Sequence, residues 1–164
     1  MAPGLRIRAP RGATAGWAVA AAILVLDQLS KWWIVAAVMR PPRVIEIMPF
    51  LNLAMVWNRG VTFGLLGTGG EAMRWALVAL TLAIVAVLAV WLARTAQAGL
   101  AAALGAVIGG ALGNVMDRLI HGAVADFLDF HAFGWHWPAF NLADAAIVCG
   151  IGWLILGAFF AERK

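Results

Sequence analysis

Four long apolar stretches run through the chain, separated by shorter segments that carry the histidines and most of the prolines. About 20 predominantly apolar residues are enough for a helix to cross the hydrocarbon core of a membrane. The pattern therefore predicts four transmembrane helices within one membrane-embedded domain, residues 1–164. Their expected positions are about 15–39, 72–94, 98–120 and 141–161.

The segments after the first and third helices have different compositions. Residues 40–71 contain Pro41, Pro42 and Pro49, which break helices, and many strand-forming residues. This composition predicts a small amphipathic β-sheet or hairpin between helices 1 and 2, on the outer face of the membrane. Residues 121–140 are rich in aromatic, histidine and acidic side chains and are expected to form an outer active-site loop. The predicted fold class is thus an all-α membrane protein with a small outer-face sheet.

The overall composition excludes a soluble domain. The chain is 64% hydrophobic and 12% charged, whereas soluble domains average about 45–50% apolar and about 25% charged residues. Its net charge of +4 comes from basic residues near the ends of the apolar segments. Membrane topology explains this placement better than nucleic-acid binding does, and we expect no nucleic-acid partner. The arginines before the first helix predict that both termini are cytoplasmic.

Three glycines in the third predicted helix are spaced by four residues. Gly105, Gly109 and Gly113 would therefore form one smooth stripe along the helix. The stripe predicts a face where another helix approaches closely.

Ionisable residues within the membrane should be paired or functional, because each costs about 2.5–3.5 kcal/mol to insert. Asp27 and Lys31 are four residues apart on one helix face and are predicted to form an ion pair that could also orient part of an outer site. Asn114, Asp117 and Arg118 share the outer end of the third helix. We expect Asp117 to pair with Arg118, and the trio to have a structural or positioning role.

Two further aspartates are candidates for chemistry. Asp126 lies in the apolar setting GAVADFLDF, which should raise its pKa. Asp144 follows a natural N-cap, Asn141, and the positive end of a helix favours its ionised form. Two carboxyls that share one proton can activate water and protonate a carbonyl, which permits peptide hydrolysis without a metal. Asp129, in contrast, is predicted to be a solvated loop residue.

The residues also leave other interpretations open. Buried acids in a small membrane protein can mark a proton path, so a proton-coupled carrier is the main alternative. His121, His131 and His136 raise a metal-dependent protease as a third, but their spacing lacks the H-E-x-x-H pattern and we expect no metal or cofactor. The single cysteine, Cys149, is predicted to be a small buried residue.

Six sequence blocks together resemble a known family, the bacterial lipoprotein signal peptidases (signal peptidase II). Their order and spacing, and the predicted four-helix layout, agree with that family over nearly the whole chain. The NRGVTFG block differs at Val61 and Thr62, where small residues such as alanine are expected. The blocks are DQLSK (27–31), FLNL with NRGVTFG (50–64), GGALGNVMDRL with GAVADF (109–127), and FNLAD (140–144).

The resemblance implies an aspartic endopeptidase of the bacterial inner membrane. Such an enzyme removes the signal peptide from diacylglyceryl-modified prolipoproteins, cutting just before the lipidated cysteine at the outer face. It implies that Asp126 and Asp144 are catalytic and that the partners are the prolipoprotein and membrane lipid. We also expect the protein to be a monomer. The positions that match the family's supporting and substrate-holding residues are Asp27, Lys31, Asn58, Gly60, Asn114, Asp117, Arg118 and Asn141.

Overall fold

The computed structural model describes residues 11–60 and 70–161, which form four long helices and a small sheet. All four helices are long and apolar enough to cross a membrane, which confirms the predicted helix count. Residues 1–10, which include the first two arginines before the predicted first helix, lie outside the described residues. So do the part of the NRGVTFG block beyond Gly60 and the last three residues. The helices are α1 (Arg11–Trp33), α2 (Gly70–Ala93), α3 (Ala98–His121) and α4 (Leu142–Ala161), and a π-helical turn (Ile34–Val38) extends α1.

Helix α3 is the centre of the bundle. It packs against α1, α2 and α4, and 67% of its most apolar window is buried, compared with 22% or less for each of the other three. The glycine stripe lies against α1: a Cβ added at Gly105 or Gly109 would meet backbone atoms of Gly16 or Ala20. A Cβ at Gly113 would meet the carboxylate of Asp27. The predicted close approach is therefore confirmed.

Four antiparallel strands form the sheet in the order β1-β2-β3-β4. Strands β1 (Val44–Met48) and β2 (Leu51–Asn58) form the hairpin predicted between the first two helices. Strands β3 (Val124–Ala132) and β4 (Trp135–His136) lie in the segment predicted as a loop, and that prediction was wrong. A two-stranded hairpin is marginally stable by itself, and β3 adds a third strand alongside β2.

The sheet lies at one end of the bundle. The β1–β2 hairpin connects α1 to α2, and the β3–β4 hairpin connects α3 to α4. The short turn between α2 and α3 lies at the other end, where Ala96 contacts Gly12 near the start of α1. Gly122 caps the end of helix α3: its φ of 75° suits glycine, and its N–H donates to the Arg118 carbonyl. The chain then turns into β3, which places Asp126 close to Asn141 at the start of α4.

Candidate active site

Asp126 lies on β3 and is only 2% exposed. Its two carboxyl oxygens accept hydrogen bonds from side-chain amides, one from Asn58 at 3.0 Å and one from Asn141 at 2.7 Å. Burial, followed by the negative charge of Asp144, raises the pKa of Asp126 to about 7. This agrees with the raised pKa predicted from its apolar neighbours.

Asp144 lies in the first turn of α4 and shares a reciprocal cap with Asn141. The Asp144 N–H donates to Asn141 Oδ1 at 3.0 Å, and the Asn141 N–H donates to Asp144 Oδ2 at 3.2 Å. The predicted N-cap is confirmed, and the acid three residues later completes a capping box. The other oxygen, Asp144 Oδ1, accepts a bond from the Asn114 amide at 2.8 Å.

Two asparagines connect the candidate catalytic aspartates. Asn141 Nδ2 donates both to Asp126 and to Asn114 Oδ1, the latter at 3.2 Å, while Asn114 Nδ2 donates to Asp144. Each asparagine thus holds one carboxyl and orients the other asparagine. The structure brings both aspartates into one hydrogen-bonded group, although they come from β3 and α4.

Lys31 is the buried cation of this group. Its Nζ lies 2.8 Å from Asp27 and 3.0 Å from Asp117, and it donates to Asn114 Oδ1 at 3.0 Å. The predicted Asp27–Lys31 pair is confirmed. The predicted pairing of Asp117 with Arg118 was wrong, because consecutive helical residues do not face each other and Asp117 points toward α1.

Both buried acids of this ion cluster also bind backbone N–H groups next to the candidate catalytic aspartates. Asp27 accepts a bond from the N–H of Ala143 at 3.0 Å, at the start of α4. Asp117 accepts one from the N–H of Ala125 at 3.0 Å. The cluster therefore holds the backbone one residue before Asp144 and one residue before Asp126. In this way it fixes the positions from which both aspartate side chains project.

Gln28 is a site residue that sequence reasoning missed. Its amide nitrogen lies 3.0 Å from Asp117 Oδ1, 3.2 Å from Asp27 Oδ2 and 3.2 Å from the carbonyl of Gly113. The available signal was its position inside DQLSK, between the two members of the ion pair.

Arg118 anchors the end of β2. It donates to the Gly60 carbonyl at 2.9 Å and to the Asn114 carbonyl at 3.3 Å. Asn58 Oδ1 accepts the N–H of Gly60 at 3.0 Å, so the amide that bonds Asp126 is itself fixed by a tight turn. All ten residues that the resemblance assigns to the site thus contribute to this network or to its anchoring contacts.

Asp129 is not the solvated loop residue that the sequence predicts. It accepts hydrogen bonds from Asn52 at 3.2 Å and from His136 Nδ1, which lies 2.9 Å from both carboxyl oxygens. Burial disfavours the carboxylate, but the bonds from His136 and Asn52 outweigh it, so the pKa of Asp129 lies below its ordinary value. The assignment of β3 as a loop caused the error, because strand pairing is what places Asn52 opposite Asp129.

The three histidines take different partners. His121 stacks at a tilt on Trp57, and His131 stacks on His136 with 5.1 Å between ring centroids. Over residues 11–60 and 70–161, three or more histidine, cysteine, aspartate or glutamate side chains nowhere group closely enough to hold a metal ion.

An apolar groove of about 700 Å³ leads to Asp144. Aromatic side chains of the β3–β4 hairpin and its flanks line it together with one face of α4, including Val148 and Cys149. Cys149 is exposed, so the prediction of a buried cysteine was wrong. An apolar run in a membrane helix does not by itself show which side chains face protein, because lipid-facing residues are apolar too.

Comparisons with known proteins agree over most of the chain. A family model described as Signal peptidase (SPase) II matches residues 19–160. A lipoprotein signal peptidase of Methylobacterium sp. (strain 4-46) is 43% identical over 150 residues, covering 91% of each chain. One from Methylorubrum extorquens (strain PA1) is 49% identical over 138 residues, covering 82% of this chain and 80% of that protein.

Solved structures show the same architecture. A structure described as "Bacterial membrane enzyme structure by the in meso method at 2.3 A resolution" superposes with a TM-score of 0.80 at 28% identity. The match covers 96% of this chain and 95% of the other. A second membrane enzyme structure, described as determined at 1.9 Å, gives a TM-score of 0.77 at 27% identity, covering 92% of this chain and 96% of that one.

Proposed function

The chain belongs to the signal peptidase II family, and on that premise we propose that it is an aspartic endopeptidase of the bacterial inner membrane. Its proposed substrates are diacylglyceryl-modified prolipoproteins. The bond cut is the one just before the lipidated cysteine, at the outer face of the membrane. The proposed catalytic residues are Asp126 and Asp144.

The observation that carries the proposal is the asparagine-linked pair of aspartates with different surroundings. Asp126 is buried and has a pKa of about 7, so it holds a proton through much of the neutral range. Asp144 lies at a helix N-terminus and accepts hydrogen bonds at both oxygens, from Asn114 and from the Asn141 N–H. Such contacts stabilise a carboxylate. One acid and one base are what hydrolysis by two carboxyls requires.

These states define a balanced reaction. The Asp144 carboxylate takes a proton from water as the water oxygen bonds to the scissile carbonyl carbon. Asp126 gives its proton to the carbonyl oxygen, so a neutral tetrahedral diol forms. When the C–N bond breaks, Asp126 takes back a hydroxyl proton and Asp144 gives its proton to the leaving nitrogen. Both aspartates then regain their starting states.

The apolar groove beside Asp144 supports a membrane-tethered substrate. Its lining offers few hydrogen-bonding partners, so apolar groups are suited to it. Lipid chains would hold the substrate cysteine at a fixed depth, and the scissile bond would meet the site at the level of the sheet. Asn58, Gly60 and Arg118 at the end of β2 are suited to holding the extended substrate chain there.

The test is cleavage of a lipidated precursor peptide by the purified protein in detergent micelles. We expect the wild type to cut before the lipidated cysteine, with or without a metal chelator. Asp126→Asn and Asp144→Asn are near-isosteric and should each reduce kcat by at least about a thousandfold. An intact precursor after incubation with wild type, or near wild-type turnover by either variant, would contradict the proposal.

The pH profile of the same reaction is a second measure of it. Because Asp126 must carry a proton to act as the acid, kcat/KM should fall as pH rises through about 7. A rate that stays constant up to pH ~9 would show that Asp126 does not serve as the acid.

A further inference from the structure

Asp129, His136 and Asn52 form a second polar cluster that the proposed chemistry does not use. Asp129 lies on β3, three residues after Asp126, and its carboxylate bonds Asn52 of β2 and His136 of β4. One side chain thus connects three adjacent strands. We call these three residues the sheet clip.

The clip lies beside the shortest strand of the sheet. Strand β4 has two residues and pairs with β3 through His131↔His136 and Ala132↔Trp135. Beyond β4, the Trp137 N–H donates to the Phe130 carbonyl, and Phe140 pairs with Leu128. The Asp129–His136 bond adds a side-chain connection at that point, and Asp129 is itself buried at 9% exposure.

The protonation of the clip follows from its geometry. An ionised carboxylate can only accept hydrogen bonds, so His136 Nδ1, at 2.9 Å from both oxygens, must carry the proton. Hydrogen bonds to a charged partner are stronger than those between neutral groups. The lowered pKa of Asp129 agrees with an ionised acceptor.

The residues that the clip holds in place also line the groove. Phe130 and His131 follow Asp129 on β3, Trp135 and Trp137 flank His136, and all four face the groove that Asp144 borders. Loss of the clip would remove the side-chain connection between β3 and β4 and loosen the position of the groove-lining residues next to it. It would leave untouched the asparagine bonds that hold Asp126 and Asp144.

We propose that Asp129 and His136 are positioning residues that fix the β3–β4 hairpin as one wall of the substrate groove. The inference rests on the proposed function, since it assumes that the groove receives substrate. It assigns to the clip a role in substrate binding, and none in the bond-breaking step.

The test compares two substitutions at one position. Asn places an amide nitrogen near the position of His Nδ1, so His136→Asn should keep the bond to Asp129, while His136→Leu removes it. We expect His136→Leu to raise KM for the lipidated precursor about tenfold with kcat within about twofold of wild type. His136→Asn should restore KM to within about threefold of wild type. His121→Leu, outside the groove lining, is the control and should leave KM unchanged.

A binding measurement separates the clip from catalysis. On the inactive Asp126→Asn background, adding His136→Leu should weaken binding of an uncleaved lipidated precursor by the same factor as the KM change. Asp129→Leu removes the acceptor and repeats the test from the other side of the bond, so the failure of one variant to fold still leaves a measurement. If a folded variant kept the wild-type KM and Kd, or if kcat fell by as much as KM rose, the proposed role of the clip in substrate binding would be wrong. A wild type that does not cleave would instead overturn the proposed function.

Discussion

Asp126 and Asp144 are identical side chains that their surroundings make different. Asp126 is enclosed by β2, β3 and the start of α4, while Asp144 opens onto the groove. The raised pKa of Asp126 and the capping of Asp144 by Asn141 could be predicted from the sequence, because an apolar flank and an N-cap are local signals. The bond between Lys31 and Asp117 could not be predicted in this way, because that contact depends on how α1 and α3 face each other.

A prediction at this scale concerns stability and pH. The pKa of Asp126 is raised from an ordinary 3.8 to about 7 in the folded protein. The protonated Asp126 carboxyl therefore makes its full contribution to the free energy of unfolding below pH 3.8. This contribution is lost as pH rises through about 7. Asp126→Asn is neutral at every pH and should escape that loss. Its free energy of unfolding relative to wild type should increase with pH, by up to about 4 kcal/mol over the whole window.

Chemical unfolding in detergent micelles at pH 5 and pH 8 measures this difference. Asp129→Asn serves as the control because its pKa shift has the opposite sign, so its difference from wild type should not grow in the same direction. A constant gap between Asp126→Asn and wild type would show that the folded protein does not raise the Asp126 pKa.

At the scale of helices and strands, the predictable elements were those marked by a long apolar run of their own. The four helices agree with their predicted ranges to within a few residues, since each apolar run has to be long enough to cross a bilayer. Strand β3 was missed because its aspartates lower its strand propensity and because its partner, β2, lies about 70 residues earlier. Without strand β3, the hydrogen-bond partners of Asp129 could not be predicted either.

The seam between α1 and α3 gives an element-scale prediction. A Cβ at Gly109 would meet the carbonyl oxygen of Ala20 and lie 3.0 Å from Ile23 Cβ, whereas a Cβ at Gly152 on α4 meets nothing within 4 Å. Gly109→Ala should destabilise the protein by about 1–3 kcal/mol through overpacking. Gly152→Ala should change stability by less than about 1 kcal/mol, in the favourable direction.

Thermal unfolding of the two variants side by side tests this prediction. Both substitutions add one methyl group to a membrane helix, so helix propensity affects both alike. Equal melting temperatures would mean that the α1–α3 seam has room that the structure does not show.

For the molecule as a whole, the fold places the sheet at one end of the bundle and the α2–α3 turn at the other. The orientation in the membrane remains a prediction from the N-terminal arginines. It places the sheet and the aspartates on the outer side. The helix packing within residues 11–60 and 70–161 is the same for either orientation, so the prediction rests on the charges along the chain.

Single-cysteine labelling in intact spheroplasts checks the orientation. With Cys149→Ser as background, Phe133→Cys at the exposed tip of the β3–β4 hairpin should react with a membrane-impermeant maleimide. Gln97→Cys in the α2–α3 turn should react only after the membrane is permeabilised. The reverse pattern would invert the predicted topology and place the candidate site on the cytoplasmic side.

Cys149 has a practical consequence of its own. It is the only thiol in the sequence, it is exposed, and it lines the groove that Asp144 borders. A spin label or an environment-sensitive dye attached there would report groove occupancy in the natural sequence, without a cysteine-free background. The protein thus carries its own attachment point for a spectroscopic probe, roughly one and a half helical turns from Asp144.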